Sequence, residues 1–477
     1  MVRVASSDDL LADGTNFCSA WCIYRGVVSL KALEKFPYRN VLVLGLAKSG
    51  TAAAKLLLEA GKKVRVNDKQ VADKALLHEL QSLGAEMITG SHPLSVLDDV
   101  EVIIKNPGIP YDNPILAEAA KRDIPILTEI ELAGILAGNV IIGITGSNGK
   151  TTTTTLIANM LNQGDRSAKV AGNIGAVATE VAQTLEEDEQ LVLELSSFQL
   201  MGVPTFKPRI AVLLNIFEAH LDYHKTFENY RQAKCNIFAN QTADDYLIYN
   251  ADDPVVQRSV TAANSIKIPF SVTERLENGA WADETGIYFA DEKIMDKADI
   301  VLVGKHNVEN ILAAVCAAKL SGATNEAIRQ VLMTFSGVKH RLQHVATVKG
   351  RMFYNDSKAT NMLATQKALS AFSNPVILLA GGLDRGNEFD DLKPYLRDVK
   401  GIVLFGETKE KLRRVAVEAE VPSIQVADNM DEAVKLAYGL SERKDVILLS
   451  PACASWDQYR TFEERGDMFE RAVHTLM

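Results

Sequence analysis

Aromatic residues make up only 6% of this 477-residue sequence, and it contains no polybasic run. A nucleic-acid groove needs stacking rings beside clustered positive charge, and an anionic membrane surface needs the charge itself. At a formal net charge of −10, neither nucleic acid nor membrane is an expected partner. If the substrates are anions, the positive charge must be local, which gives weight to single lysines and arginines. Cysteine is scarce as well: Cys18, Cys22, Cys235, Cys316 and Cys453 are odd in number and mostly isolated in apolar surroundings. Reduced, buried thiols in a cytoplasmic protein are the expectation, rather than a disulfide scaffold, at this length. Cys18 and Cys22 are spaced C-x-x-x-C, but no second Cys/His pair follows nearby, so no zinc site is expected. No run approaches the ~18–20 apolar residues of a membrane span. The N-terminus lacks the charged-then-apolar form of a secretory signal.

What is present is a globular composition, 47% hydrophobic and 23% charged, in a chain too long for one ordinary core. Residues 1–38 are irregular. The first strand is Val41-Leu42-Val43-Leu44, followed by Gly45-Leu46-Ala47-Lys48-Ser49-Gly50, an alanine- and leucine-rich helix to Ala60, and a strand ending at Asn67-Asp68. This βαβ unit has the form of a dinucleotide fingerprint, with an acid at the tip of the second strand. Ala47, however, stands where the middle glycine would let a pyrophosphate approach. A second strand–helix series begins near Val140, with strands Val140–Ile144, Leu191–Leu195, Ile210–Asn215 and Tyr246–Tyr249. A third follows His340-Arg341, with strands Met352–Asn355, Val376–Ala380, Gly401–Phe405 and Val446–Ser450. Such alternation predicts an α/β protein of parallel sheets covered on both faces, with ligands at the carboxyl ends of strands. Three domains are expected: a Rossmann-like N-terminal domain (39–129), a central P-loop-type ATPase domain (130–337) and a C-terminal Rossmann-like α/β domain (338–477).

The central series opens on Gly146-Ser147-Asn148-Gly149-Lys150-Thr151-Thr152, directly after an apolar strand. Glycines let backbone N–H groups face a polyphosphate, Lys150 reaches the terminal phosphates, and Thr151 offers an oxygen to Mg²⁺. Ile144 occupies the place of the first glycine in the usual spacing, so a βα turn with incidental glycines is the alternative. Strand Leu191-Val192-Leu193-Glu194-Leu195 carries a carboxylate within an apolar run, costly unless a cation compensates it. Thr151 and Glu194 can share such a metal, whereas a salt bridge at a frayed strand end is the structural alternative. His220 lies just beyond the next strand, where a second metal can bridge reactants, and His224 reads as surface. Lys234 sits on a helix by its apolar spacing, where most lysines are simply solvated. Asn307 and Asn310 open a long helix and can present amides to a purine edge, with capping as the other role for Asn307. In the third series three polar loops follow strands: Asn355-Asp356-Ser357-Lys358-Ala359-Thr360-Asn361, Gly381-Gly382-Leu383-Asp384-Arg385-Gly386 and Ser450-Pro451-Ala452-Cys453-Ala454-Ser455. They outline a substrate pocket in which Lys358 and Arg385 are the natural anchors for carboxylates or phosphates.

In order along the chain, Thr145 to Thr151, Gly172-Asn173-Ile174-Gly175, Glu194 to Gln199, the His220 segment, His306-Asn307-x-x-Asn310 and His340-Arg341 resemble the Mur ligases of peptidoglycan synthesis. The match covers nearly everything from Val41 onward. The loops after Asn355 and Ser450 resemble the branch that adds D-glutamate to UDP-N-acetylmuramoyl-L-alanine, through an acyl phosphate made with ATP. The resemblance implies ATP contacts at Gly146, Asn148, Gly149, Lys150, Thr151, Thr152, Asn307, Asn310, Arg341 and Asp356. For Mg²⁺ it implies Thr151, Glu194, His220 and Lys234, the last carbamylated into a carboxylate-like ligand; Lys150, Glu194, His220 and Lys234 form the catalytic set. It assigns the UDP-sugar to Gly45, Ser49, Gly50, Asp68, Asn106, Gly108, Asn173 and Ser196, so the apparent dinucleotide signal would mislead as to ligand. D-glutamate falls to Lys358, Thr360, Arg385, Ser455 and Phe462. Arg385 stands where many relatives have lysine, and Trp456 is bulkier than the aliphatic residue expected there. A monomer acting on small molecules is expected. Another Mur ligase, a folylpolyglutamate-synthase-like enzyme, a dinucleotide-dependent oxidoreductase and a non-catalytic nucleotide-binding regulator are the competing readings.

Overall fold

The computed structural model describes residues 33–70, 73–302 and 304–477. Cys18, Cys22 and most of the 1–38 extension lie outside the described residues. The chain divides into two compact units, Met1–Met295 with Glu309–Arg329, and Asp296–Val308 with Gln330–Met477.

The first unit carries two sheets. Strands β1 (Asn40–Leu44), β2 (Lys63–Asp68), β3 (Glu86–Thr89), β4 (Val102–Lys105) and β5 (Ile126–Leu127) pair in the order β3-β2-β1-β4-β5. All four pairings are parallel. Val41 to Leu44 are at most 1% exposed, which is why the sequence shows an unbroken apolar run rather than alternation. Leu33 and Phe36 are buried in the same core, so the end of the irregular N-terminal stretch is part of this domain. The helix Lys48–Glu59 packs so closely on the end of β1 that a Cβ on Gly50 would stand 1.9 Å from the Gly45 carbonyl oxygen.

The second sheet has nine strands: β6 (Ile141–Thr145), β7 (Ser167–Gly172), β8 (Glu189–Glu194), β9 (Ile210–Leu213), β10 (Tyr246–Asn250), β11 (Ile266–Ser271), β12 (Ala280–Ala282), β13 (Gly286–Phe289) and β14 (Glu292–Asp296). Their order is β14-β13-β12-β11-β10-β9-β6-β8-β7. The four expected strands are all present, and β7 and β11 to β14 are additional. Pairing is parallel from β7 to β12, but β12 and β13 are antiparallel, which corrects the expectation of a purely parallel sheet. Between them Asp283 accepts from the backbone N–H groups of Thr285 and Gly286, a local turn that closes the hairpin.

The second unit holds β15 (Gln343–Val348), β16 (Arg351–Asn355), β17 (Val376–Gly381), β18 (Val399–Phe405), β19 (Ile424–Val426) and β20 (Val446–Leu449), ordered β15-β16-β20-β17-β18-β19. Again one edge departs from the parallel expectation, since β15 returns antiparallel to β16. Lys349 and Gly350 both take positive φ, 47° and 81°, the backbone of a tight two-residue hairpin turn. Among the described residues no helix is long and apolar enough to cross a membrane.

Gly50→Ala should cost about 1–3 kcal/mol, the range for forcing extra atoms into a filled space, read as a lower denaturant midpoint with unchanged slope. A midpoint equal to that of the parent would show that the helix can move off β1 freely.

Candidate functional site

In the first sheet the strand order reverses between β1 and β4, and the loops after these strands flank the crevice where open α/β sheets take ligands. The backbone N–H groups of Leu46 and Gln70 donate to the Asp68 carboxylate at 2.7 and 2.8 Å. Asn106 donates to the Ser49 hydroxyl at 3.2 Å and accepts from the Gly108 N–H at 3.1 Å. Gly45, at φ +93°, lies against Ile109 and Asn106, where a Cβ would meet atoms at 2.9 and 3.0 Å. Gly45, Ser49, Gly50, Asp68, Asn106 and Gly108 thus converge on one end of the sheet, with Asp68 engaged in shaping the glycine turn.

In the second sheet β6 lies between β8 and β9, so the loop after β6 is bordered by the segments that continue from those two strands. Gly149 takes φ +86°, and a Cβ there would stand 2.1 Å from Asn310 Oδ1, so only glycine lets that asparagine close on the loop. Asn148 is held by a reciprocal pair with Asn215, at 2.9 and 3.2 Å. The helix Lys150–Asn162 begins inside the loop, with Thr151 and Thr152 in its first turn and its positive end aimed across the loop. Lys150 Nζ donates to the Gly146 and Ser147 carbonyls at 2.8 and 3.2 Å. Lys234 Nζ donates to the same Gly146 carbonyl, also at 2.8 Å. Lys234 is 1% exposed, not solvated as a helical lysine usually is, and its Nζ lies 4.7 Å from the centre of the Tyr230 ring. Burial, and then the Lys150 charge, push its pKa well below the ordinary lysine value.

Glu194 ends β8 and is 1% exposed. Its Oε1 accepts from Asn173 at 2.7 Å, while Oε2 has no hydrogen-bond partner among the described residues. No salt bridge reaches it among those residues either, which removes the frayed-end alternative. A buried carboxylate oxygen left this way is costly unless a cation takes it, and carboxylate and hydroxyl oxygens are the donors a hard divalent ion prefers. The residues present therefore fit a divalent cation held by Glu194 and Thr151. Ser196 caps the short helix Ser197–Leu200 in a reciprocal box with Gln199.

His220 takes φ +55° at the start of the helix Leu221–His224, and its ring packs edge-on against Phe198 at 5.0 Å. That packing, then the Lys234 charge, lowers its pKa from the usual histidine value. His224 corrects the surface reading. It is 2% exposed, bonds Ser197 Oγ through Nε2 at 2.9 Å and stacks on Phe198 at 5.3 Å. Burial pushes its pKa down to about 4. An i, i+4 histidine pair with one exposed ring and one buried ring left no apolar signal by which to tell them apart. Tyr230, overlooked in sequence, donates to Ser147 Oγ at 2.9 Å and so braces the loop.

In the second unit the three polar loops follow β16, β20 and β17, which are adjacent. Lys358 Nζ lies 5.0 Å from the centre of the Phe462 ring, and the Arg385 guanidinium lies 4.8 Å from that of Trp456. Trp456 is 65% exposed, so its bulk flanks Arg385 from the solvent side. Ser455 is 2% exposed with no hydrogen-bond partner for its hydroxyl among the described residues. Thr360 is half-buried between Lys358 and the helix Met362–Leu369. Arg465, which sequence reasoning missed, is fully buried and joins all three loops. It donates to Ser357 Oγ and O at 3.0 and 2.8 Å, to Cys453 O at 3.0 Å and to Gly381 O at 3.5 Å. Asp356 accepts from Ser450 Oγ at 2.9 Å and the Leu342 N–H at 3.1 Å, and burial raises its pKa to about 7 against an opposing pull from Arg341. Asn307 lies within the first turn of the helix Lys305–Leu320, donating its N–H to the Gly304 carbonyl, so it is not the cap.

Three family models match the chain: "Mur ligase MurD-like, N-terminal domain" over residues 39–128, "Mur ligase middle domain" over 144–318 and "Mur ligase, glutamate ligase domain" over 340–453. The UDP-N-acetylmuramoylalanine–D-glutamate ligase of Oceanobacillus iheyensis is 59% identical over 448 residues, covering 94% of this chain and 100% of its own. The enzyme of the same name from Geobacillus kaustophilus is 58% identical over 450 residues, with the same coverage. Among solved structures, the Thermotoga maritima UDP-N-acetylmuramate–alanine ligase MurC superposes with a TM-score of 0.55 at 18% identity, over 92% of this chain and 100% of that one. The MurF ligase of the same organism, in complex with ADP, gives 0.55 at 19% identity over 87% and 96%.

The Asp356 carboxyl generates a pH prediction. Its pKa is raised from 3.8 to about 7 in the fold, so its proton stabilises the folded state fully below pH 3.8, and that stabilisation is lost as pH rises through 7. Relative to Asp356→Asn, the parent should therefore lose stability between pH 4 and 7.5 in chemical unfolding. A gap between the two that does not change with pH would contradict the assignment.

Proposed function

The chain belongs to the Mur ligase family, and from that premise we propose that it joins D-glutamate to UDP-N-acetylmuramoyl-L-alanine at the expense of ATP, a cytoplasmic step of peptidoglycan synthesis. The full-length similarity to ligases named for D-glutamate carries this reading. Residues 39–129 take the UDP-sugar at the β1/β4 crevice, 130–337 take ATP at the loop after β6, and 338–477 take D-glutamate at the three loops joined by Arg465. The protein acts on small molecules as a monomer.

The residues support a phosphoryl transfer followed by amide formation. Backbone N–H groups of the loop and Lys150 hold the ATP phosphates, with Asn148, Asn310, Arg341 and Asp356 at the nucleotide. Thr151 and Glu194 would hold one Mg²⁺, and His220 with a carbamylated Lys234 a second; bound there, the ions would neutralise the charge gathering on the phosphates. The muramoyl-alanine carboxylate takes the γ-phosphoryl group to become an acyl phosphate. The D-glutamate amine attacks that carbonyl, and phosphate leaves. Lys358 and Arg385 supply cations for the two glutamate carboxylates, and the unpartnered Ser455 hydroxyl offers a hydrogen bond. Asn173 keeps Glu194 oriented, since its amide already bonds that carboxylate.

Phosphate release from ATP, measured with UDP-N-acetylmuramoyl-L-alanine and each of D-glutamate, L-glutamate, L-lysine and D-Ala-D-Ala, tests this. Release that depends on D-glutamate alone is expected. Release with another of them would keep the ligase chemistry and overturn the glutamate assignment of the third-domain loops. No release with any, from protein that binds ATP, would favour the non-catalytic regulator.

A further inference from the structure

Lys105 ends β4 immediately before Asn106, and it is 1% exposed. A lysine at the edge of a ligand crevice ordinarily runs its stem along apolar surface and keeps its head in water. Here the head is turned inward. Its Nζ donates to the Pro107 carbonyl and to the Tyr223 hydroxyl, each at 3.1 Å, and lies 4.8 Å from the centre of the Tyr111 ring. Burial brings its pKa down to about 7, with no carboxylate compensating among the described residues. Methionine would fill the same space without that cost, so the ammonium is retained for its bonds.

Those bonds connect two parts of the first unit that are 118 residues apart in sequence. The single Tyr223 hydroxyl hydrogen lies within reach of the Pro107 and Ile109 carbonyls, at 3.1 and 3.0 Å, while the oxygen accepts from Lys105. Both side chains thereby meet at the Pro107 carbonyl, and Tyr223 also reaches Ile109. Tyr223 stands three residues after His220, and both rings pack edge-on against Phe198, at 4.6 and 5.0 Å. The parallel ion pair Lys225–Asp112 crosses the same gap but is more than 60% exposed on both sides, and exposed pairs hold little.

We propose that Lys105 and Tyr223 are a positioning pair, locking the Asn106–Ile109 loop to the His220 segment so that the β1/β4 crevice is already shaped to bind a nucleotide-sugar. This rests on the proposed function for the identity of the ligand. Neither side chain touches the reacting atoms; each acts through the loop.

Tyr223→Phe and Lys105→Met, made singly and together, test the pair in the phosphate-release assay and in calorimetric titration with UDP. Each single variant should raise the KM for the nucleotide-sugar about tenfold, equivalent to ~1.4 kcal/mol, and weaken UDP binding to match, with the KM for ATP unchanged. The double variant should be no worse than the singles, because they break one linkage. Amide exchange across residues 106–111 in the substrate-free protein should quicken in all three. A uniform fall in kcat with unchanged KM values, equal shifts for ATP and nucleotide-sugar, or fully additive losses would overturn the pair. If the unmodified protein released no phosphate with D-glutamate, the proposed function would fall. UDP affinity and amide exchange would still decide the pair, since unchanged values in the variants would reject it.

Discussion

Two lysine side-chain nitrogens converge on one carbonyl. Lys150 and Lys234 each donate to the Gly146 oxygen at 2.8 Å, at the end of a strand that a glutamate-bearing strand adjoins. Like charges this close, one of them buried, cannot both stay protonated at ordinary cost. Their repulsion is relieved by an anion in the loop, by loss of the Lys234 proton, or by conversion of Lys234 into an anionic group. The first places phosphate charge against both nitrogens; the other two leave Lys150 as the cation of the loop and make Lys234 a donor that a metal ion can use. Burial of Glu194 with one oxygen that has no partner among the described residues sets the complementary demand for a cation. The rest of the central domain serves these demands: Gly149 admits Asn310, Asn215 braces Asn148, and Tyr230 holds Ser147.

The same arrangement recurs in all three sheets. Polar loops follow neighbouring strands at their carboxyl ends, and a buried or half-buried side chain fastens them. In the N-terminal domain Asp68 fastens the glycine turn; in the C-terminal domain Arg465 joins three loops through backbone carbonyls. Buried polar groups of this kind add little net stability, but they limit the conformations the loops can take. Ligand groups can then be met without paying for loop ordering at the moment of binding.

Much of this was legible in the sequence because parallel strands buried on both faces leave unbroken apolar runs. Val41 to Leu44 and Leu191 to Leu193 are such runs, and the turns that come after them carry the chemistry. The hairpins at the sheet edges were not legible. Ala280 to Ala282 and Gly286 to Phe289 are short and broken by small residues, and a turn made by one aspartate decides their pairing. His224, Lys105 and Arg465 were missed for another reason. Their side chains are of types usually found in water, and the groups that bury them come from distant segments, so local pattern held no trace. Lys234 was recognisable only through the family resemblance, since its helix gives no sign of a lysine that is 1% exposed.

Beside Lys150, the Lys234 side chain is held well below the ordinary lysine pKa by burial and by its neighbour's charge. On losing one proton its amine can take up carbon dioxide and release a second proton, which would turn the buried cation into a carbamate anion. Carbon-13 NMR of the intact protein in ¹³C-bicarbonate, compared with Lys234→Ala, measures this directly. A carbamate carbonyl resonance is expected at neutral to mildly alkaline pH, and none in the variant. A spectrum without that resonance, or one that keeps it in Lys234→Ala, would contradict a carbamate on Lys234.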